Sequence, residues 1–270
     1  MNRTYTFVNQ KGGVGKTTTA INLGAYLAHL GKSVLLVDLD PQANATACLG
    51  IDKDAVQGGT YDTLIDQSPA AQFLLTNHRL RMSLLPASQA LAGAEVELVH
   101  ELARENRLKA AIEPLKSRFE YILIDCPPSL GLLTVNGLVA AGTGVIIPVQ
   151  CEYLALEGLS QLTRTIERVR AALFPGLVIR GLVLTMYDAR TNLAADVVRE
   201  VRSHFGELAF ETIIPRSVRL AEAPSYGQPI SLYAPDSTGA QAYEKLAREV
   251  VAGDERAGEP IIKEIAGYGA

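Results

Sequence analysis

The sequence predicts an α/β fold: a single domain built on a mostly parallel, twisted sheet with helices on both faces. Three observations point there. Short β-type runs alternate with helix-period segments along the 270 residues, the pattern of parallel strands joined by crossover helices. The predicted strands end in polar or turn chemistry, at Asn9-Gln10, Asp38 to Asp40, Asp125, Gln150, Tyr187-Asp188 and Pro215-Arg216. A glycine-rich turn, Gly12-Gly13-Val14-Gly15, separates the first strand from the first helix. Open parallel sheets bind ligands at the carboxyl ends of their strands, so one site is expected to collect these segments.

The elements follow in order. Tyr5–Asn9 reads as a strand. Thr17–Leu30 reads as a helix, with Ile21, Leu27 and Leu30 among its apolar positions and Gly31 as its stop. Ser33–Asp38 reads as the second strand. Residues 41–94 are less regular, with a short helix expected at Thr60–Ile65 and a strand at Ser83–Pro86. Ala94–Ser117 reads as a long, charged helix region. Strands are expected at Glu120–Asp125, Gly144–Val149, Val178–Thr185 and Phe210–Ile214. Helices are expected at Gly158–Leu173, where Leu159, Leu162, Ile166 and Val169 share a face, and at Ala194–Phe205 and Ala240–Val251. The domain is expected to span residues 1–252, followed by a flexible, Gly-containing polar tail over Gly253–Ala270.

Composition narrows the class. Nearly half the residues are apolar, enough for a sizeable core, and the net charge of −4 argues against a dedicated nucleic-acid binder. The charge is uneven, however. Nine arginines face six acids between Arg164 and Arg219, and no lysine lies between Lys116 and Lys245. Such a stretch suits bidentate phosphate contacts and equally suits a solvated helix surface. The three cysteines, Cys48, Cys126 and Cys151, match no metal-site spacing and read as buried thiols. No secretory leader and no apolar run of bilayer length is read.

Gln10-Lys11-Gly12-Gly13-Val14-Gly15-Lys16-Thr17-Thr18 carries the chemistry. Its second half fits a phosphate-binding loop, whose glycines let backbone N–H groups turn inward around phosphate oxygens. Lys16 would reach the β- and γ-phosphates, and the Thr17 hydroxyl would bind Mg²⁺. The helix beginning there adds the positive end of its dipole. The strict pattern G-x-x-x-x-G-K-[ST] fails at Gln10, and Lys11 is an additional lysine. The fold is therefore read as a P-loop fold. Asp38 and Asp40 end the second strand, where a carboxylate can orient an attacking water near the γ-phosphate. Tyr121-Ile122-Leu123-Ile124 delivers Asp125 towards the Mg²⁺ sphere.

Lys11 to Thr18, Asp38-Leu39-Asp40-Pro41-Gln42 and Asp125-Cys126-Pro127-Pro128-Ser129 together resemble the deviant-Walker ATPases. Pro148 to Tyr153, Leu156 to Ser160, Asp188 to Asn192 and Ile214 to Pro224 extend the resemblance specifically to the ParA/Soj chromosome-partitioning family, over residues 4–251. The resemblance implies a slow, Mg²⁺-dependent ATPase in which ATP glues two subunits into a sandwich homodimer. Lys11 matches the signature lysine that reaches the partner's nucleotide. Asp40 matches the residue needed for hydrolysis, and Asp125 matches the Walker B acid. ATP/ADP contacts are implied for residues Lys11, Gly12, Gly13, Val14, Gly15, Lys16, Thr17 and Thr18. Metal contacts are implied for Thr17, Asp40 and Asp125. Pro215-Arg216-Ser217 matches the loop that packs on adenine, although many members carry Asn where Ser217 stands. The ATP dimer is implied to bind double-stranded DNA without sequence preference, with Arg190 and Arg219 as the candidate contacts by motif position. Hydrolysis would be stimulated by DNA with a ParB-type partner, in a cytoplasmic, nucleoid-associated protein.

Three other readings share the loop. A MinD-like membrane-surface ATPase would need a basic amphipathic C-terminal helix, which Glu255, Glu259 and Glu264 with interrupting Gly and Pro make poorly. An iron-protein-like reductase would use Cys126 but lacks an evident cysteine pair. An ATP-dependent biosynthetic enzyme usually requires an extra substrate domain or acceptor site, for which no room is visible. No DNA-reading extension is read before the first strand, so operator-specific repression is not expected.

Overall fold

The computed structural model describes residues 2–153 and 155–256. Its strands are β1 (Arg3–Phe7), β2 (Val34–Asp38), β3 (Leu75–Asn77), β4 (Met82–Leu85), β5 (Tyr121–Asp125), β6 (Gly144–Gln150), β7 (Ile179–Tyr187) and β8 (Ala209–Pro215). They form one eight-stranded sheet in the order β3-β4-β2-β5-β1-β6-β7-β8. Every pairing is parallel except β3 with β4, an antiparallel edge. The helices are α1 (Lys16–His29), α2 (Asn44–Cys48), α3 (Thr60–Leu64), α4 (Leu91–Glu97), α5 (Arg107–Ile112), α6 (Leu132–Ala140), α7 (Ala155–Ala172), α8 (Asn192–Phe205), α9 (Val218–Glu222), α10 (Ile230–Tyr233) and α11 (Thr238–Arg256).

The two faces of the sheet support separate cores. The strands send alternate residues to opposite sides, as the two-residue period requires. Leu35, Val37, Ile122 and Ile124 pack with α5, α6, α7 and α8. Val34, Leu36, Leu123, Tyr5 and Phe7 pack with α1, α10 and α11. Central strands are consequently apolar on both faces, which explains the near-continuous hydrophobic runs of β2 and β5. Gly31, with φ of 85°, ends α1 by leaving the helical conformation.

Two expectations change, and one helix was not expected. The predicted helix over Ala94–Ser117 is instead α4, a 3₁₀ turn, an irregular link, a second 3₁₀ turn, α5 and a third 3₁₀ turn. Glu101 is extended and Ala103 is left-handed, so the helical hydrogen-bond ladder breaks between them. The helix α6 follows the Cys126-Pro127-Pro128-Ser129 turn without any polar stripe to announce it. Seven of its residues, Leu133, Thr134 and Asn136 to Ala140, are buried, so it lacks the one-sided pattern of a surface helix. Finally, α11 continues to Arg256, so Gly253 to Arg256 are helical rather than tail. The remainder of the expected tail lies outside the described residues.

A polar network fixes that last turn near the amino ends of the strands. Tyr5 donates its phenolic proton to Asp254 Oδ1 at 2.5 Å, and Tyr121 donates to Oδ2 at 3.0 Å. Arg180 Nε donates to Oδ1 at 3.2 Å, and Arg3 donates to the Asp254 carbonyl at 2.8 Å. A buried carboxylate is tolerable only with such partners.

Candidate nucleotide site

All parallel strands end on one edge, which brings the polar strand ends together. Beyond β1, Asn9 folds back on the loop. Its Oδ1 accepts from the Lys11 N–H at 3.0 Å, and its Nδ2 donates to the Pro148 carbonyl at 2.8 Å. Gly13 and Gly15 hold φ angles of 75° and 89°, the left-handed region that glycine enters without a Cβ penalty. Between them, the Val14 carbonyl accepts from the Thr185 hydroxyl of β7 at 2.8 Å. The loop is thus braced from β6 and β7 before any ligand arrives.

Lys16 and Thr17 open α1. Lys16 is only 6 % exposed, and its Nζ donates to the Lys11 carbonyl at 3.2 Å. Burial pulls its ammonium pKa down, opposed by the charges of Asp125, Cys126 and Asp40. Thr17 donates its hydroxyl proton to Asp125 Oδ2 at 2.6 Å. Asp125 is fully buried at the end of β5, and its Oδ1 has no hydrogen-bond partner. Burial, reinforced by Asp38, pushes its carboxyl well above the usual carboxylate range. An orphaned carboxylate oxygen beside a threonine hydroxyl suits a hard cation. Among the described residues no cluster of three or more His, Cys, Asp or Glu side chains forms a cage. That donor set fits Mg²⁺, which is commonly held by one or two carboxylates together with substrate phosphates.

Asp38 and Asp40 differ sharply in surroundings. Asp38 is fully buried, and burial raises its carboxyl to about 6 against opposing hydrogen bonds from Thr46. Asp40 is 5 % exposed and takes the Gln42 N–H at 2.9 Å. Lys11, by contrast, lies at the surface, where its Nζ pairs with Glu152 at 2.6 Å. Gln10, in the place of the first glycine, donates to Gln161 of α7 at 2.8 Å.

The structure joins some predicted residues and leaves others apart. Pro215 and Arg216 line an open cavity of about 400 Å³ with Tyr187, Asp188, Ala189 and Arg190. Ser217 serves as the N-cap of α9, its Oγ accepting from the Leu220 N–H at 3.4 Å. Arg190 forms a bidentate pair with Asp188, at 2.8 and 2.7 Å. That contact holds the Asp188 carboxyl well below its usual range. Arg219 pairs with Glu222 at 2.9 Å, and Tyr233 donates to the same carboxylate. Cys126 is fully buried, and a Cβ added at Gly137 would sit 2.5 Å from its Sγ. The sequence reading did not single out Asn9, Thr185 or Glu152 as site residues. Only Asn9, as a polar strand end, and Glu152, within Pro148 to Tyr153, carried a signal.

What this edge can do is hold a phosphate chain. A loop with left-handed Gly13 and Gly15, a buried ammonium and the start of a helix all favour dense negative charge at one place. That is the site of a P-loop nucleotide-binding protein, with an extra lysine at the loop's mouth. A family model described as an AAA domain matches residues 2–179. The sporulation initiation inhibitor protein Soj of Bacillus subtilis is 54 % identical over 252 residues, covering 93 % of this chain and 99 % of that one. The chromosome partitioning protein ParA of Myxococcus xanthus is 52 % identical, covering 91 % of this chain and 87 % of its own. The chain belongs to the ParA/Soj family of chromosome-partitioning ATPases.

Solved structures agree on the fold and extend beyond the family. A Mycobacterium smegmatis structure named cobyrinic acid a,c-diamide synthase, with bound ADP and magnesium, is 39 % identical with a TM-score of 0.83, covering 96 % of this chain and 98 % of that one. The septum site-determining protein MinD of Pyrococcus horikoshii, complexed with Mg-ADP, is 28 % identical with a TM-score of 0.76, at 96 % and 98 % coverage. Those names belong to two of the rival readings, so the shared shape does not choose between them. Identity above half over nearly the whole of Soj does.

Proposed function

We propose that this chain is an ATP-driven dimerisation switch that binds DNA without sequence preference as the ATP dimer and drives chromosome or plasmid segregation with a ParB-type partner. One observation supports it most directly: the two loop lysines are separated by role. Lys16 is buried against its own site, whereas Lys11 stands at the surface in a solvent-screened ion pair. A lysine placed there can exchange Glu152 for the triphosphate of a second subunit. Hydrolysis then removes charge from the interface and weakens the sandwich.

In this reading Lys16 binds the β- and γ-phosphates, and the amides of Gly12, Gly13, Val14 and Gly15 cradle them. Thr17, Asp40 and Asp125 hold Mg²⁺, which when bound neutralises phosphate charge. Asp40 orients the attacking water. Pro215, Arg216 and Ser217 receive the adenine at the cavity beside β7. Arg190 and Arg219 contact DNA phosphates, which must displace Asp188 and Glu222 from them. Such contacts are salt-sensitive and individually weak, with non-specific Kd on the order of 10⁻⁴ to 10⁻⁶ M. Pairing two subunits adds avidity. Among the described residues no helix is long and apolar enough to cross a membrane, and the proposed location is the cytoplasm, on the nucleoid.

The test is co-sedimentation with DNA in ATP, ADP and no nucleotide. Binding in ATP alone supports the switch. Equal binding in all three states, or none in any, refutes it.

A further inference from the structure

Asp40 carries the hydrolysis reading, yet it sits in a turn beyond β2. Nothing in a strand ladder keeps it in place. The turn is tight: the Ala43 N–H donates to the Asp40 carbonyl at 2.8 Å. Ala43 is a non-glycine residue held at φ 52° and fully buried. Left-handed alanine costs free energy, so the turn persists because something else holds it.

The holding groups are Asp38 and Thr46, on either side of the turn. Asp38 Oδ1 accepts the Asp40 N–H at 3.2 Å. Asp38 Oδ2 accepts both the Thr46 N–H at 2.8 Å and the Thr46 hydroxyl at 2.7 Å. The same hydroxyl accepts the Ala87 N–H at 3.0 Å, just beyond β4. Asp38 and Thr46 are both fully buried. Both carboxylate oxygens of Asp38 are therefore engaged inside the protein, although its sequence position beside Asp40 suggested that it could face the γ-phosphate.

We infer that Asp38 and Thr46 are positioning residues for ATP hydrolysis, holding the Asp40 turn at a fixed place against β4. The inference rests on the assignment of Asp40 to hydrolysis. Misplacing a catalytic group by about 1 Å can cost about a hundredfold in rate, so a partly loosened turn should be visible in kcat.

Thr46→Val removes the hydroxyl while preserving shape and the backbone donor. The expected result is a fall in kcat of about tenfold with KM for ATP within about twofold of wild type. ATP-dependent dimers, read by sedimentation, should persist, and Thr46→Ser should recover most of the rate. Wild-type kcat in Thr46→Val overturns the inference. So does a parallel loss of kcat, nucleotide affinity and thermal stability that serine does not repair, because that pattern is purely structural. If the valine variant does not fold, Asp38→Asn is read by the same kcat-against-KM split, with the same two overturning results. Asp40→Ala in the same assay separates the two ideas. Normal hydrolysis there removes the Asp40 assignment itself, whereas an inactive Asp40→Ala beside a fully active Thr46→Val removes only the positioning role.

Discussion

Replacing Asp254 with alanine should destabilise the chain far more than a change in its last described turn would suggest. The carboxylate is 7 % exposed and accepts from Tyr5, Tyr121 and Arg180. Alanine leaves two buried phenols without an acceptor, each worth about 1–3 kcal/mol as an unsatisfied group. It also strands a mostly buried guanidinium, and removing one member of a buried ion pair costs about 3–5 kcal/mol. These contributions overlap, and water can reach Arg180 from its exposed side. A total of about 3–5 kcal/mol is expected. Urea unfolding followed by circular dichroism measures it. With an m-value near 3 kcal/mol/M, the midpoint should fall by about 1–1.7 M. Asp254→Asn retains one acceptor oxygen and should lose roughly half as much. A loss below about 1 kcal/mol for alanine would refute the claim that this network fastens α11 to the sheet.

Lys11→Ala should retain ATP binding through Lys16 but lose ATP-dependent dimerisation; dimers on ATP like those of wild type, in light scattering, would end the cross-interface role. Arg190→Glu with Arg219→Glu should abolish DNA co-sedimentation while leaving the ATP dimer intact, and unchanged binding at low salt would move the surface elsewhere. Burial lifts the phenols of Tyr5, Tyr121 and Tyr243 above their ordinary 10, with Asp254 adding to the first two. Their folded pKa values exceed the unfolded ones, so the stability they confer is whole below pH 10 and drains away as pH rises beyond it. Phenolate absorbance from these three should appear only with loss of far-ultraviolet dichroism; full tyrosine ionisation in a chain with native dichroism would contradict this. Gly137→Val should cost about 1–3 kcal/mol by overpacking, because an added Cβ lies 2.5 Å from Cys126 Sγ and 3.1 Å from Thr6 Cγ2. Thermal denaturation reads that loss, and an unchanged Tm would mean that α6 moves freely off the sheet.

How much of this was legible beforehand depends on whether the responsible contact is local. The backbone of the loop was readable because left-handed Gly13 and Gly15 and the start of α1 at Lys16 follow from neighbours in the chain and a strand-to-helix context. The place of Asp125 at the end of β5 was readable because an apolar strand leads into it. The braces were not: Thr185 reaches Val14 only because β6 and β7 lie beside β1, and no spacing announces that. Thr46 was invisible for the same reason, its partners Asp38 and Ala87 standing on different strands' ends. The charged stretch over Ala94–Ser117 misled because composition reports solvation, whereas an extended Glu101 and a left-handed Ala103 interrupt the helical backbone. The helix α6 escaped notice because burial on nearly all sides erases the periodicity by which helices are recognised.

The strand order has a consequence for how the chain is made. β1 leaves the ribosome before β5 and β6, yet those are its neighbours in the sheet, where Tyr5 lies beside Leu123 and Gly144. Its hydrogen-bonding edges must wait until synthesis has passed Gln150. Non-local parallel pairing of this kind is slow and leaves apolar edges exposed meanwhile. At translation rates of about 5–20 residues per second, the nascent phosphate loop lacks its bracing strands for several seconds or more. A truncated product ending before β6 would present an unfinished sheet instead of a nucleotide site, and would be material for chaperones and proteases.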